Sequence, residues 1–338
     1  MAVTLADVAR LAGVSPATVS RVINDSAKRV NEDLRERVLA AVAQLHYVPN
    51  AHAQHVARPR QAAVGVIVHD VSDPYFAEIT RGLQRQAADH GRLLVICNSY
   101  REPERELAYV ALLRAQQVHA LILAGSGYHD DAFTDRLNGE LAAYQHSGGR
   151  VAVIGRHRIV GSAVLPANQA GAHALGLRIL GLGHRRVGVI AGPHLLTTTT
   201  DRLTGFRQAF ADTGVPLPPA RIVHADFTRD GGATAATALL DADPTLTALV
   251  ALNDSMAVGA LAALRDRGVR VPDDISVTGF DDMPIARDVT PALTTVRLPL
   301  VEMGERAMAL ALGDDQTPRS EPAPATITWR ASCAPPTH

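Results

Sequence analysis

Residues 4–24 read Thr4-Leu5-Ala6-Asp7-Val8-Ala9-Arg10-Leu11-Ala12-Gly13-Val14-Ser15-Pro16-Ala17-Thr18-Val19-Ser20-Arg21-Val22-Ile23-Asn24. Thr4 followed by Asp7 is a capping pair ahead of the apolar series Leu5, Val8, Ala9 and Ala12, which has helical spacing. Gly13 supplies the positive φ that stops the helix. Ser15 then caps a second helix, and Pro16 at its first position has no N–H to leave unpaired. Val19, Val22 and Ile23 form an inner face, while Pro16, Ala17, Ser20, Arg21 and Asn24 stay outward. Two short helices joined by a glycine turn make a helix-turn-helix, whose second helix fits a DNA major groove. A third helix is predicted over 32–45, with Leu34, Val38, Ala41, Val42 and Leu45 on one face.

Charge separates this head from the rest of the chain. The 338 residues carry 33 Lys+Arg against 34 Asp+Glu. Residues 1–60 hold eight of the bases and five of the acids, a net +3, which leaves 25 bases and 29 acids, a net −4, on the remainder. A basic head on an acidic body directs the head toward a polyanion. At roughly 100–200 residues per domain the length predicts two or three domains. The longest apolar stretches, 64–68 and 93–97, fall far short of the ~20 residues a bilayer helix needs, which excludes a bundle of membrane spans. Cys97 and Cys333 offer neither a disulfide framework nor zinc spacing. The first residues lack the basic and apolar regions of an export signal, so the expectation is a soluble, cytoplasmic protein.

The string from Thr4 to Asn24, followed by Tyr47-Val48-Pro49-Asn50, resembles the head of the LacI/GalR family of bacterial transcription regulators. The resemblance implies that the helix beginning at Ser15 lies in the major groove. Pro16, Ala17, Thr18 and Arg21 then face the bases, and Ser15, Ser20, Asn24 and Asn31 meet phosphates. Thr4, Leu5, Tyr47 and Asn50 complete the implied DNA-contacting set. Arg21 offers two hydrogen bonds to guanine O6 and N7, whereas Ala17 offers only a methyl-sized contact. Residues 50–57 resemble the family's hinge helix, with Val56 at the position of the apolar wedge that enters a central minor-groove step. His52 and His55 have no third ligand nearby and read as solvated or phosphate-facing. The partners implied are a near-palindromic double-stranded operator, a second copy of the chain and a small-molecule effector, with the regulator acting as a repressor.

From residue 61 the chain alternates strands and helices. Strands are predicted at 63–68, 93–97, 120–123, 151–154, 187–190, 221–223, 248–251 and 275–278, with helices between most of them. Such alternation means parallel sheets with helices on both faces. The fold class is therefore α/β: an all-α helix-turn-helix head and a two-lobed body like a periplasmic binding protein, with ligand between the lobes at the strand C-termini. The expected boundaries are 1–49 for the head, 50–60 for the hinge, 61–161 plus 292–322 for the first lobe, and 162–291 plus 323–332 for the second. Residues 293–297 are assigned to the crossover back to the first lobe.

Positions after strands nominate the cleft. Asp73, Tyr75 and Phe76 follow the first strand, Ser126 the third, and Asn253 and Asp281 follow strands of the second lobe. Arg202 opens a helix after a turn over 193–200. Carboxylate, carboxamide and guanidinium groups suit the vicinal hydroxyls of a sugar, because each makes two hydrogen bonds. The family resemblance implies effector contacts at Arg202, Asn253 and Asp281, an aromatic stack at Phe227 and a polar contact at Thr198. Ala167 stands where family members often have Asp, and the run 195–200, Leu-Leu-Thr-Thr-Thr-Thr, is unusual.

Two rival classes use the same body. A solute-binding protein would need an export signal and no helix-turn-helix. A sugar-processing enzyme would need a catalytic constellation. Residues 181–186, Gly-Leu-Gly-His-Arg-Arg, lie between a helix and a strand, the reverse of a dinucleotide fingerprint. No Gly-x-Ser-x-Gly elbow, P-loop or metal-ligand cluster is present in the sequence, and no cofactor is expected. The helix predicted over 104–116, with Leu107, Val110, Leu112 and Leu113, reads either as part of a dimer face or as core.

Overall fold

The computed structural model describes residues 3–23, 30–47, 63–313, 315 and 317–337. The chain divides into two compact units, Met1–Gln61 and Ala62–His338.

In the first unit, α1 (Leu5–Ala12), α2 (Pro16–Ile23) and α3 (Glu32–Gln44) enclose Val8, Ala9, Ala12, Val19, Val22, Val38 and Ala41. The Thr4 hydroxyl accepts from the Asp7 N–H at 3.3 Å, and the Thr4 N–H donates to the Asp7 carboxylate at 3.0 Å. Both orphan donors at the helix start are thereby satisfied. Gly13 has φ +64, and a Cβ there would lie 2.7 Å from Arg37 Nη2. That nitrogen donates to Ala12 O at 2.6 Å, so the glycine both turns the chain and admits the cation that closes α1.

The second unit carries two six-stranded sheets. The first has the order β11-β5-β4-β3-β1-β2 and is parallel throughout. Its strands are β1 (Val64–Val68), β2 (Leu94–Asn98), β3 (Ala120–Ala124), β4 (Arg150–Ile154), β5 (Ser162–Pro166) and β11 (Ser320–Ala323). The second has the order β12-β10-β9-β8-β6-β7, with only β12 antiparallel. Its strands are β6 (Val187–Ala191), β7 (Ile222–His224), β8 (Ala248–Ala251), β9 (Ser276–Asp281), β10 (Thr294–Arg297) and β12 (Thr326–Thr328). Every residue of β1, β3, β6 and β8 is buried, as expected of central strands covered on both faces. The helices are α4 (Pro74–Asp89), α5 (Pro103–Ala115), α6 (Asp131–His146), α7 (Asn168–Gly181), α8 (Thr197–Asp212), α9 (Arg229–Ala242), α10 (Asp254–Asp266), α11 (Ile285–Asp288) and α12 (Leu300–Leu312). Where α4 meets α12, a Cβ on Gly82 would sit 2.0 Å from Val301 O, and one on Gly304 would sit 2.2 Å from Ile79 O. The two helices touch backbone to backbone because both residues lack a side chain.

Several expectations change. Residues 162–166 form β5 and pair with β4, so the first lobe continues past 161. The strand Thr294–Arg297 pairs with Thr278–Asp281 in the second sheet, and the crossover lies after it, at Leu298–Pro299. Pro299 precedes α12, which packs on α4 and so belongs with the first lobe. Helix α6 and strands β5, β11 and β12 were not predicted. Of the four apolar residues in the 104–116 helix, Leu107, Val110 and Leu113 are core and only Leu112 is exposed. No helix among the described residues is long and apolar enough to cross a membrane.

Candidate functional sites

The reading face of the head is set by which residues α2 leaves outside. Ser15, Pro16, Ala17 and Arg21 are exposed, and Thr18 and Ser20 are half-buried. The Ser15 hydroxyl accepts from the Thr18 N–H at 3.2 Å, fixing the helix start. Arg21 makes no hydrogen bond or ion pair among the described residues, so its guanidinium is available to an external acceptor. Asn31 caps α3 through the Asp33 N–H at 3.2 Å. Thr4 is committed to its capping box, and Leu5 and Tyr47 pack against the head core. Asn24, Asn50, Val56 and the whole 50–60 hinge lie outside the described residues.

In the body, all nine expected effector residues (Asp73, Tyr75, Phe76, Ser126, Thr198, Arg202, Phe227, Asn253 and Asp281) line one cleft between the sheets. Three further residues join them: His69, Arg101 and Leu196. His69 and Arg101 sit just past the C-terminal ends of β1 and β2, the place in an open α/β sheet where ligand groups gather. That rule nominated Asp73, Tyr75, Phe76, Ser126, Asn253 and Asp281 in the sequence and applied equally to these two.

Arg202 is the fixed centre of the second-lobe side. Its Nε donates to Asn168 Oδ1 at 2.9 Å, Nη1 to Leu252 O, and Nη2 to Asp281 Oδ1 at 2.6 Å. The guanidinium also lies over the Phe280 ring, 3.9 Å from its centroid. Both partners of the Arg202–Asp281 pair are 3% exposed. Burial pushes the Asp281 carboxyl up to about 6, against the pull of Arg202.

Asp281 (φ 111) and Asp282 (φ 55) are non-glycine residues in a costly backbone region, at roughly 1–3 kcal/mol each. Three ties hold them. Arg202 takes Asp281, Arg330 Nη2 donates to Asp282 Oδ1 at 2.6 Å, and the buried Asp254 accepts from the Met283 N–H at 2.7 Å and from Thr295 Oγ1 at 2.6 Å. Asn253 caps α10 through the Met256 N–H at 2.8 Å.

On the first-lobe side, Asp73 caps α4, its Oδ1 accepting from the Tyr75 N–H at 3.0 Å. Burial raises the Asp73 carboxyl above its usual range. Tyr75 and Phe76 meet edge to face, with ring centroids 5.0 Å apart. Burial drives the His69 imidazole down to about 3, so it is neutral, and the Ser126 N–H donates to its Nε2 at 3.1 Å.

The threonine run has a structural account. Helix α8 starts at Thr197 rather than at Arg202, which places Thr198 and Arg202 one turn apart on one face. The segment 195–200 is stitched to the first lobe. The Ser126 hydroxyl donates to Thr198 Oγ1 at 2.6 Å, and Thr197 Oγ1 donates to Arg156 O at 2.8 Å. His129 Nε2 lies 2.9 Å from Thr200 Oγ1, and Tyr128 and Leu196 form an antiparallel bridge.

Comparison with known proteins places this geometry. Residues 4–50 match the family described as bacterial regulatory proteins, lacI family, and residues 178–333 match the periplasmic binding protein-like domain. The HTH-type transcriptional regulator GalS of Salmonella typhimurium is 39% identical over 92% of this chain and 89% of its own. The lac repressor bound to ONPG in its repressed state superposes with a TM-score of 0.85 at 27% identity, covering 98% of this chain and 100% of that one. A complex of the transcriptional regulator CelR with cellobiose gives a TM-score of 0.70 at 31% identity, covering 98% and 99%. The chain belongs to the lacI family of bacterial regulatory proteins. It is a DNA-binding transcription regulator, not an enzyme.

Proposed function

We propose that the protein is a homodimeric repressor of a near-palindromic operator, released or engaged by a sugar held between the two lobes. The observation that carries the effector half is the convergence of Asp73, Ser126, Thr198, Arg202, Asn253 and Asp281, with three aromatic rings, on a single cleft. Polar groups on a fixed frame, with ring faces beside them, suit a polyhydroxyl ligand whose C–H faces are apolar. The cellobiose complex of CelR is a relative with a sugar ligand. For the DNA half, exposed Pro16, Ala17 and Arg21 on α2 supply a short reading edge. One such edge reads too few base pairs for a unique site, so two heads on half-sites one helical turn apart are needed, about 34–36 Å.

Effector and operator are then linked. Whatever factor the sugar imposes on operator affinity, the operator imposes on sugar affinity. The test is selection of a binding site from random duplex DNA by the full-length protein, followed by anisotropy titrations with and without galactose, ribose or cellobiose. The reading predicts an inverted-repeat consensus and a shift in apparent Kd with at least one sugar. A non-symmetric consensus sinks the dimer reading, and Kd unmoved by every sugar sinks the effector reading.

A further inference from the structure

We propose that the stacked imidazoles of His194 and His224 are a proton-operated catch, which holds the loop 192–196 to the second lobe when neutral and releases it in acid. The two rings lie face to face, with centroids 3.4 Å apart and planes 25° from parallel. His194 is exposed on the loop that follows β6, and His224 is half-buried at the end of β7. The His224 Nδ1–H donates to Gly192 O at 2.7 Å, so Nε2 is the nitrogen that titrates. Neighbouring main chain keeps the loop against β7. The Ala225 N–H donates to Ala191 O at 2.9 Å, and a Cβ on Gly192 would lie 2.2 Å from Phe227 Cζ.

The other end of the same loop is tied to the first lobe. Leu195 O accepts from the His129 N–H at 2.7 Å, and the Thr197 N–H donates to Gly127 O at 3.0 Å. These are main-chain bonds, which do not titrate. The hold on the second lobe runs through two imidazoles, the side chain whose charge changes near neutral pH. Acid therefore acts on one of the loop's two attachments and spares the other.

The geometry of the pair narrows its chemistry. An imidazole lone pair lies in the ring plane, so two stacked rings cannot both point at one metal ion ~2.1 Å away. Protonation remains. One proton makes no like-charge pair, whereas a second sets two cations face to face at contact distance. Burial holds the His224 imidazole below the usual histidine range, and the charges of His194 and of Arg207 on α8 add to this, against the pull of Gly192 O. Of the other charged groups around the pair, Asp201 is held by Arg156, Asp230 by Arg229 and Asp243 by Arg221. Asp226 is exposed two residues beyond His224, and His129 faces Thr200 on the first-lobe side. A histidine depressed in the folded state gives stability that is present above about 6.5 and lost as pH falls through the folded value. The catch is thus closed at pH 7.5 and opens progressively below about pH 6.

The experiment is amide hydrogen exchange on the full-length protein at pH 7.5 and 5.5, scaled to intrinsic rates, with an NMR titration of the two imidazoles. Protection of 192–196 falls by roughly fivefold or more at the lower pH, while β6 and β8 keep theirs. The two rings titrate in steps about one pH unit apart or more, because the second proton meets the first. His194→Phe keeps a flat ring over His224 with no proton to gain, so its loop is equally protected at both pH values. His194→Ala removes the stack, and its loop exchanges fast at both. A wild-type loop indifferent to pH, coincident midpoints for the two rings, or full protection in His194→Ala overturns the proposal. So does a pH response preserved in His194→Phe, which moves the titration to His129 or Asp281. No readout involves an effector, so the reading of the cleft is tested separately.

Discussion

Arg156 of the first lobe meets Asp201 of the second through two hydrogen bonds, Nε to Oδ2 at 3.0 Å and Nη2 to Oδ1 at 2.6 Å. The pair flanks the seam in which Ser126 bonds Thr198, His129 bonds Thr200, and the Tyr128–Leu196 bridge joins the two lobes. With side chains 45% and 18% exposed, its charges are partly screened, so its worth to global stability is below about 1 kcal/mol. Its geometric effect is larger, because two parallel bonds fix one lobe orientation.

Asp201→Asn should therefore leave the urea midpoint nearly unmoved and loosen the seam. Amide hydrogen exchange at 126–129 and 195–200 is the readout, since local opening precedes global unfolding where few bonds hold a segment. Faster exchange confined to those stretches is expected. Exchange indistinguishable from wild type would mean that the seam holds without the ion pair.

The buried pair in the cleft behaves oppositely. Removing the carboxylate in Asp281→Ala strands Arg202 at a site where both partners are 3% exposed, at a cost of about 3–5 kcal/mol. It also frees the strained residues 281 and 282 from one of their ties. Arg202→Met with Asp281→Leu removes both charges, and much of the lost stability should return while sugar binding stays absent. Denaturant melts of the two variants decide it. A double variant no more stable than Asp281→Ala would show that the cost lies in lost packing rather than in an unpaired charge.

The head was legible because its signals are local: Thr4 with Asp7, Gly13, and Ser15 with Pro16 each settle a helix end within four residues. The cleft was legible where strand ends announced it, at Asp73, Asn253 and Asp281. Arg101 lay within reach of the strand-end rule, just past β2, but the left-handed turn at Tyr100 and Arg101 that shapes its loop had no signal, since neither residue type marks a positive φ. The sheet that Thr294–Arg297 joins depends on partners far away in sequence, at Thr278–Asp281, so nothing local marked it. Helix α6 did carry a signal, since Phe133, Leu137 and Leu141 recur at i, i+4 behind the capping Asp130. The threonine run argued against a helix by propensity, and its side-chain bonds to the first lobe override that preference.

Proton linkage gives a prediction with a definite sign. The Asp281 carboxyl is raised to about 6 when folded, whereas an unfolded aspartate ionises near 3.9. The folded chain thus binds more protons between these values, and this group's contribution to stability falls as pH rises from about 4 to about 6. Sugar affinity runs the other way, because the ionised carboxylate is the better hydroxyl acceptor. Affinity should be flat above pH 7 and fall by up to about tenfold per unit below pH 6, and Asp281→Asn should abolish the slope. A slope preserved in that variant would move the titration to another group.

Arg21 tests the head independently of the body. It is exposed on α2 and makes no hydrogen bond or ion pair among the described residues, so Arg21→Ala disturbs no partner among the described residues of the head. A bidentate contact to guanine is worth about 1–3 kcal/mol of discrimination, which is roughly a 5–150-fold loss for the selected operator. Binding to unrelated duplex DNA rests on phosphate contacts and counterion release, so it should fall far less and keep most of its salt dependence. Anisotropy titrations on both duplexes at two salt concentrations separate these outcomes. Equal losses on the two would make Arg21 a phosphate contact, and no loss on either would remove α2 from the groove.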